Sequence, residues 1–90
     1  MLDKVKTAMR ITATAYDSEI EALIDAALAD LGVSDIDPDL LTAETTDALI
    51  TRAVITYCRM HFGSPDDYDR LRASYWEQKA QLTTSSAYRG

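Results

Sequence analysis

The chain has 90 residues and a mass of 10.0 kDa, one small domain's worth, and folding at that size removes only about 60 to 65% of the unfolded surface from water, which argues against a large enzyme with a deep, walled-off cleft. Hydrophobic residues make up 47% and charged residues 27%, ordinary for a globular domain and too apolar for a chain disordered throughout. Fifteen acidic residues against nine basic ones leave a formal charge of −6 and a pI near 4.5, the wrong sign for tight unassisted binding to nucleic acid or anionic lipid.

Leu2, Val5 and Met9 recur at i, i+3, i+7 and predict a short first helix, ended before the Thr-rich stretch from Ile11 to Tyr16. Ile20, Leu23, Ile24, Ala27, Leu28 and Leu31 form a single apolar stripe and predict a second helix over 18–31. Ser18 and Glu21 read as a capping box at its start, and Gly32 as the residue that ends it. From Val33 to about Thr45 the run Ser34-Asp35-Ile36-Asp37-Pro38-Asp39 predicts the main loop. A third helix follows, with Leu49, Ile50, Ala53, Val54, Tyr57, Cys58 and His61 on one face. Thr51, Arg52, Thr56 and Arg59 lie mostly on the other, and Gly63 is the expected end. Ser64-Pro65-Asp66-Asp67 is a restart signal for a fourth helix over 65–82, striped by Tyr68, Leu71, Tyr75 and Leu82 with Trp76 beside it.

The expected fold is therefore all-α, a compact bundle of about four helices with a polar extended C-terminal tail. Residues 1–82 form the helical domain and 83–90 the tail. The alternation of charged and apolar residues at the N-terminus lacks the apolar run of an export signal, and no stretch of about 18 apolar residues predicts a membrane span. A lone cysteine, Cys58, has no internal disulfide partner, which suggests synthesis in a reducing cytoplasm.

The patterns that carry chemistry are weak. Asp35-Ile36-Asp37-Pro38-Asp39 imitates the opening of a calcium loop, but Leu40 stands where glycine is needed and Thr46 where the closing glutamate belongs. Cys58 and His61 share a helix face, yet two ligands do not make a zinc site and neither has an orienting carboxylate on that face. No catalytic, metal or cofactor residues are assigned. The helix pair joined by Gly63-Ser64 resembles a helix-turn-helix, but the end that would meet DNA carries Asp66, Asp67 and Asp69, and Arg70 reads as an intrahelical partner for Asp66.

Aromatic residues are more informative. Tyr68, Tyr75, Trp76 and Tyr88 combine an apolar body with a polar handle, the chemistry favoured at interfaces. Two readings of Tyr75 and Trp76 stand: they close the chain's own core, or they are left for a partner. With Leu82, these residues form the expected subunit or partner interface: Tyr68, Tyr75, Trp76, Leu82 and Tyr88. The segment from Leu82 to Tyr88 is expected to dock on a neighbouring component.

The ordered series of segments resembles the small head-tail connector proteins of tailed bacteriophages, the gp6-like connectors or DNA packaging proteins. It includes Met1-Leu2-Asp3-Lys4-Val5-Lys6 with Arg10-Ile11-Thr12, then Ile20-Glu21-Ala22-Leu23-Ile24-Asp25-Ala26-Ala27. It continues through Arg52-Ala53-Val54-Ile55-Thr56-Tyr57-Cys58, His61-Phe62-Gly63, Ser74-Tyr75-Trp76-Glu77 and Leu82-Thr83-Thr84-Ser85-Ser86-Ala87-Tyr88. The resemblance implies a structural virion protein without enzymatic activity, made in the bacterial host cytoplasm and housed at the head-tail junction. Its copies would close into a ring of about twelve below the portal protein, with a tail-side completion or terminator protein beneath. DNA would pass through without sequence-specific binding, which suits an acidic subunit. The rival expectation is a small acidic helical regulator of antitoxin or anti-repressor type, binding a protein partner as a dimer.

Overall fold

A computed structural model describes residues 1–33, 36, 41, 48–63, 65–85 and 87–88. The chain forms four helices, α1 (Leu2–Met9), α2 (Asp17–Val33), α3 (Ala48–His61) and α4 (Tyr68–Thr84), and the fold is all-α. Each element follows the expected apolar spacing, and the departures are local.

In α1, Val5 is fully buried while Leu2 and Met9 pack at the edge of the core. The helix closes with a Schellman turn in which Arg10 N–H donates to Thr7 O at 3.1 Å and Ile11 N–H to Lys6 O at 2.9 Å. Arg10 takes the left-handed conformation, φ 58°, that this position usually leaves to glycine. Lys6 then reaches Asp17 at 2.6 Å and ties α1 to the start of α2.

α2 begins at Asp17, and its first turn is closed by Ile20 N–H donating to Tyr16 O at 2.9 Å. Ser18 therefore lies inside the first turn, and the expected capping box is out of register with the helix end. Gly32 does not stop the helix either, because α2 continues through Val33 and Ile36 N–H closes back onto Leu31 O at 3.3 Å. The predicted stripe holds: Ile20, Ile24, Ala27 and Leu31 are buried, with Leu23 and Leu28 packed beside them. Of the predicted loop, Ile36 is buried and Leu41 half-buried, while Asp35, Asp37, Pro38 and Asp39 lie outside the described residues.

α3 is the centre of the molecule and packs against each of the other three helices. Ile50, Ala53, Val54 and Cys58 are buried as their spacing predicts. Thr51 and Thr56, expected on a solvated face, are buried as well, because α4 covers that second side of the helix. Thr56 keeps its hydroxyl satisfied by donating to Arg52 O at 3.1 Å. His61, expected on the apolar face, is exposed at the helix end. The chain leaves α3 through Gly63 at φ 68°.

α4 starts three residues later than Pro65 and runs two residues past Leu82. Asp66 and Asp67 form a turn, and the helix opens when Leu71 N–H donates to Asp67 O at 3.0 Å; Ser64, the expected cap, lies outside the described residues. The hydroxyls of Thr83 and Thr84 both return to Ala80 O, at 3.1 and 2.9 Å, extending the last turn into the expected tail. At Ala87 and Tyr88 the chain makes a turn, with Tyr88 N–H donating to Ser85 O at 3.1 Å and the Tyr88 ring half-buried against the core. The result is a tile of 38 × 28 × 18 Å, about two helices thick.

Gly32 and Gly63 make opposite predictions. Gly32 sits in a helix, and an added Cβ meets only Leu41 Cδ1 at 3.5 Å, an ordinary contact. Gly32→Ala is expected to raise stability by about 0.5 to 1 kcal/mol, and Gly63→Ala to lower it by about 1 to 2 kcal/mol through its positive φ. Urea unfolding midpoints of the two variants check both signs.

Candidate functional site

α2 and α4 are joined by one polar cluster at the edge of the core. Asp30 on α2 accepts a hydrogen bond from the Tyr75 hydroxyl and receives Lys79 Nζ at 3.2 Å. Both donors come from α4, one turn apart, so a single carboxylate holds two side chains of one helix face. Burial and the neighbouring Asp30 push the Tyr75 phenol up from its ordinary value, so it stays a donor across the neutral range. Tyr57 on α3 is raised for the same reasons. Its ring lies 4.4 Å from His61 and 5.4 Å from Tyr75, centroid to centroid, and His61 in turn lies 6.4 Å from Tyr68.

Lys79 does a second job. Its ammonium lies 4.0 Å from the centroid of Trp76, a cation–π contact that fixes the indole while 54% of the residue stays exposed. Trp76 borders a shallow depression of about 300 Å³ with Asp69, Arg72 and Ala73. A large aromatic ring, held in place and uncovered, is the feature of this molecule that most resembles an interface anchor.

The five residues expected at an interface are therefore split by the fold. Trp76 and Tyr68 are exposed at 54% and 40%. Tyr75 and Leu82 are buried within the subunit, since α3 covers the side of α4 they occupy, and they have no free surface to offer a neighbour. Tyr88 is half-buried against the same core. Sequence reasoning missed Tyr16, which is 48% exposed and meets Phe62 edge to face at 5.4 Å; its place in the turn just before α2 was the available signal.

At the start of α4, Arg70 pairs with Asp67 and not with Asp66, because the helix begins later and puts Asp67 at its cap. Asp66 and Asp69 remain exposed there, so the end of α4 that a helix-turn-helix would press against phosphates is acidic.

The comparison with known families decides what this arrangement belongs to. Residues 1–89 match the model of a family described as phage connector protein. The chain belongs to the phage connector protein family. No curated protein and no solved structure matches it. Membership points to a structural, non-catalytic component of the phage particle that associates with other virion proteins.

Cys58 is fully buried, and burial pushes its thiol up to about 12, the reverse of what a nucleophile needs. None of the described helices is long and apolar enough to cross a membrane. Among the described residues no three metal-ligating side chains come together; the acidic loop lies outside them.

Two measurements follow from the connector's interior. Tyr75→Phe removes the donor to Asp30 and is expected to cost about 1 to 2 kcal/mol in urea unfolding without loss of helicity. The raised thiol makes a pH prediction: its folded value lies above its unfolded value near 9.0. The stability it contributes is complete below about pH 9 and is lost as pH climbs toward 12, by at most about 1.4 kcal/mol per pH unit. Cys58→Ala is expected to be less stable at neutral pH and to show a shallower alkaline decline.

Proposed function

We propose that this connector is the head-tail adaptor subunit of a tailed phage: its copies form a closed ring below the portal, join capsid to tail and continue the DNA channel. The reading rests on the family match over residues 1–89. The geometry is in keeping with it. A ring needs a heterologous interface whose rotation closes, and a tile-shaped subunit of 38 × 28 × 18 Å has broad sides for neighbours. Trp76, already oriented by Lys79, is the anchor we assign to the neighbour or portal, and Tyr68, exposed at the start of α4, is a second contact. Because the ring is fixed before contact, little rotamer freedom is lost on binding. A formal charge of −6 supplies few of the lysine and arginine contacts that hold DNA, so the genome slides through without sequence-specific capture.

Particle mass from light scattering and negative-stain images of the protein, alone and with purified portal, tests the reading. Rings in either sample support it; a dimer of constant mass at all concentrations, indifferent to portal, overturns it. Trp76→Ala is expected to weaken assembly at least tenfold while lowering subunit stability by no more than about 1 kcal/mol, the size of the lost cation–π contact. Removal of residues 85–90 is expected to keep helicity and reduce docking onto the flanking component.

A further inference from the structure

The charges of this acidic protein are segregated. Between α3 and α4, with α1 at its rim, runs a cleft of about 530 Å³ with no Asp or Glu among the described residues that line it. Among the described residues four cations line it: Lys4, Arg52, Arg59 and Arg70. Only Arg70 has a carboxylate partner, Asp67; among the described residues Lys4, Arg52 and Arg59 have none within ion-pairing distance. The molecule carries −6 overall, so with these four cations set aside the remainder carries −10.

The depth of the cleft is also unfinished. Thr51 is only 8% exposed, lines the cleft, and its Oγ1 has no hydrogen-bond partner. Gln78 on the facing side of the cleft is in the same state at Oε1. Buried polar atoms are normally satisfied, and two orphans in one cleft mark a place where an incoming group completes the bonding. Thr51 can donate to a carboxylate. Gln78 Oε1 needs a donor, which neither a phosphate oxygen nor a carboxylate supplies, so its partner has to come from another group of the incoming surface.

The complementary surface lies elsewhere on the same chain. α2 has five carboxylates and no lysine or arginine. Asp17 and Asp30 are committed to Lys6 and Lys79, while Glu19, Glu21 and Asp25 are exposed. Glu21 and Asp25, one turn apart, flank an apolar depression of about 300 Å³ floored by Met1, Leu2 and Ile24. The neighbouring exposed positions are Ala22, Ala26 and Ala29, small enough for another backbone to come close.

We propose that the basic cleft of one subunit receives the acidic face of α2 from a second copy, with Arg52 and Arg59 meeting Glu21 and Asp25. Arg52 and Arg59 stand seven residues apart on α3, about 10 Å along its axis, against about 6 Å between Glu21 and Asp25 along α2, a difference that long arginine side chains can take up. The donor and acceptor surfaces are different parts of the molecule, so the contact is head-to-tail and propagates until it closes. This inference rests on the ring reading above and adds its interface.

Charge reversal tests it. Arg52→Glu with Arg59→Glu, and separately Glu21→Arg with Asp25→Arg, are each expected to weaken self-assembly, in solution or on purified portal, at least tenfold with helicity unchanged. Mixed together, the two variants regain assembly, because each one's reversed surface fits the other's. Should a reversed chain fail to fold, Arg52→Gln with Arg59→Gln still removes the attraction and is expected to give a smaller loss that rising salt does not deepen. Reversed variants that assemble as well as wild type, or a mixture that stays dispersed, overturn this interface and leave the ring reading standing. Wild type that never assembles, with or without portal, overturns both. If cleft reversal leaves assembly intact but abolishes binding of a 30-base-pair duplex probe of about 100 Å, the cleft serves phosphates and the inference falls.

Discussion

The structure depends on α3 being covered on more than one side. A 90-residue chain has too little apolar material to bury several helices completely, so it buries one and wraps the others around it. Ile50, Val54 and Cys58 are buried in the common core as the apolar side of an amphipathic helix should be, and the burial of Thr51 and Thr56 records the arrival of α4 on the remaining flank. Thr56 is accommodated by bonding its own helix. Thr51 has no such partner, and its unpaired hydroxyl is a consequence of the same crowding.

With α3 in the middle, Asp30 near the end of α2 joins that helix to the middle of α4. By holding both Tyr75 and Lys79, it sets the rotation of α4 about its own axis. That rotation turns Leu71, Tyr75 and Leu82 inward and Trp76 outward. The exposed indole and the buried tyrosine beside it are two results of one constraint, and the Lys79 ammonium serves both by pairing with the carboxylate and lying against the ring.

Charge follows the same layout. Arginines at positions 52 and 59 are two turns apart on α3 and emerge on the side toward α4, while α2 carries carboxylates alone. A subunit with a net negative charge thus keeps a local positive surface, and attraction between different faces of identical chains becomes possible without a strongly basic protein.

Much of the fold was legible in the chain because helical periodicity is a local property. The stripes of Ile20, Ile24, Ala27 and Leu31, and of Ile50, Ala53, Val54 and Cys58, are readable from spacing alone, and Gly63 ends its helix as its freedom at positive φ predicts. Family likeness was legible too, since it lies in the ordered series of segments. Helix ends were less so: Gly32 is passed over and α4 opens at Tyr68, because the last turn of a helix is decided by which carbonyl finds a partner, as Leu31 O and Asp67 O do here. Periodicity could not say which of Tyr68, Tyr75, Trp76, Leu82 and Tyr88 face outward, nor that Lys4, Arg52 and Arg59 share a cleft. One helix shows its apolar side to the reader of a sequence, but a second covered side, and charges brought together from three helices, exist only once those helices have packed.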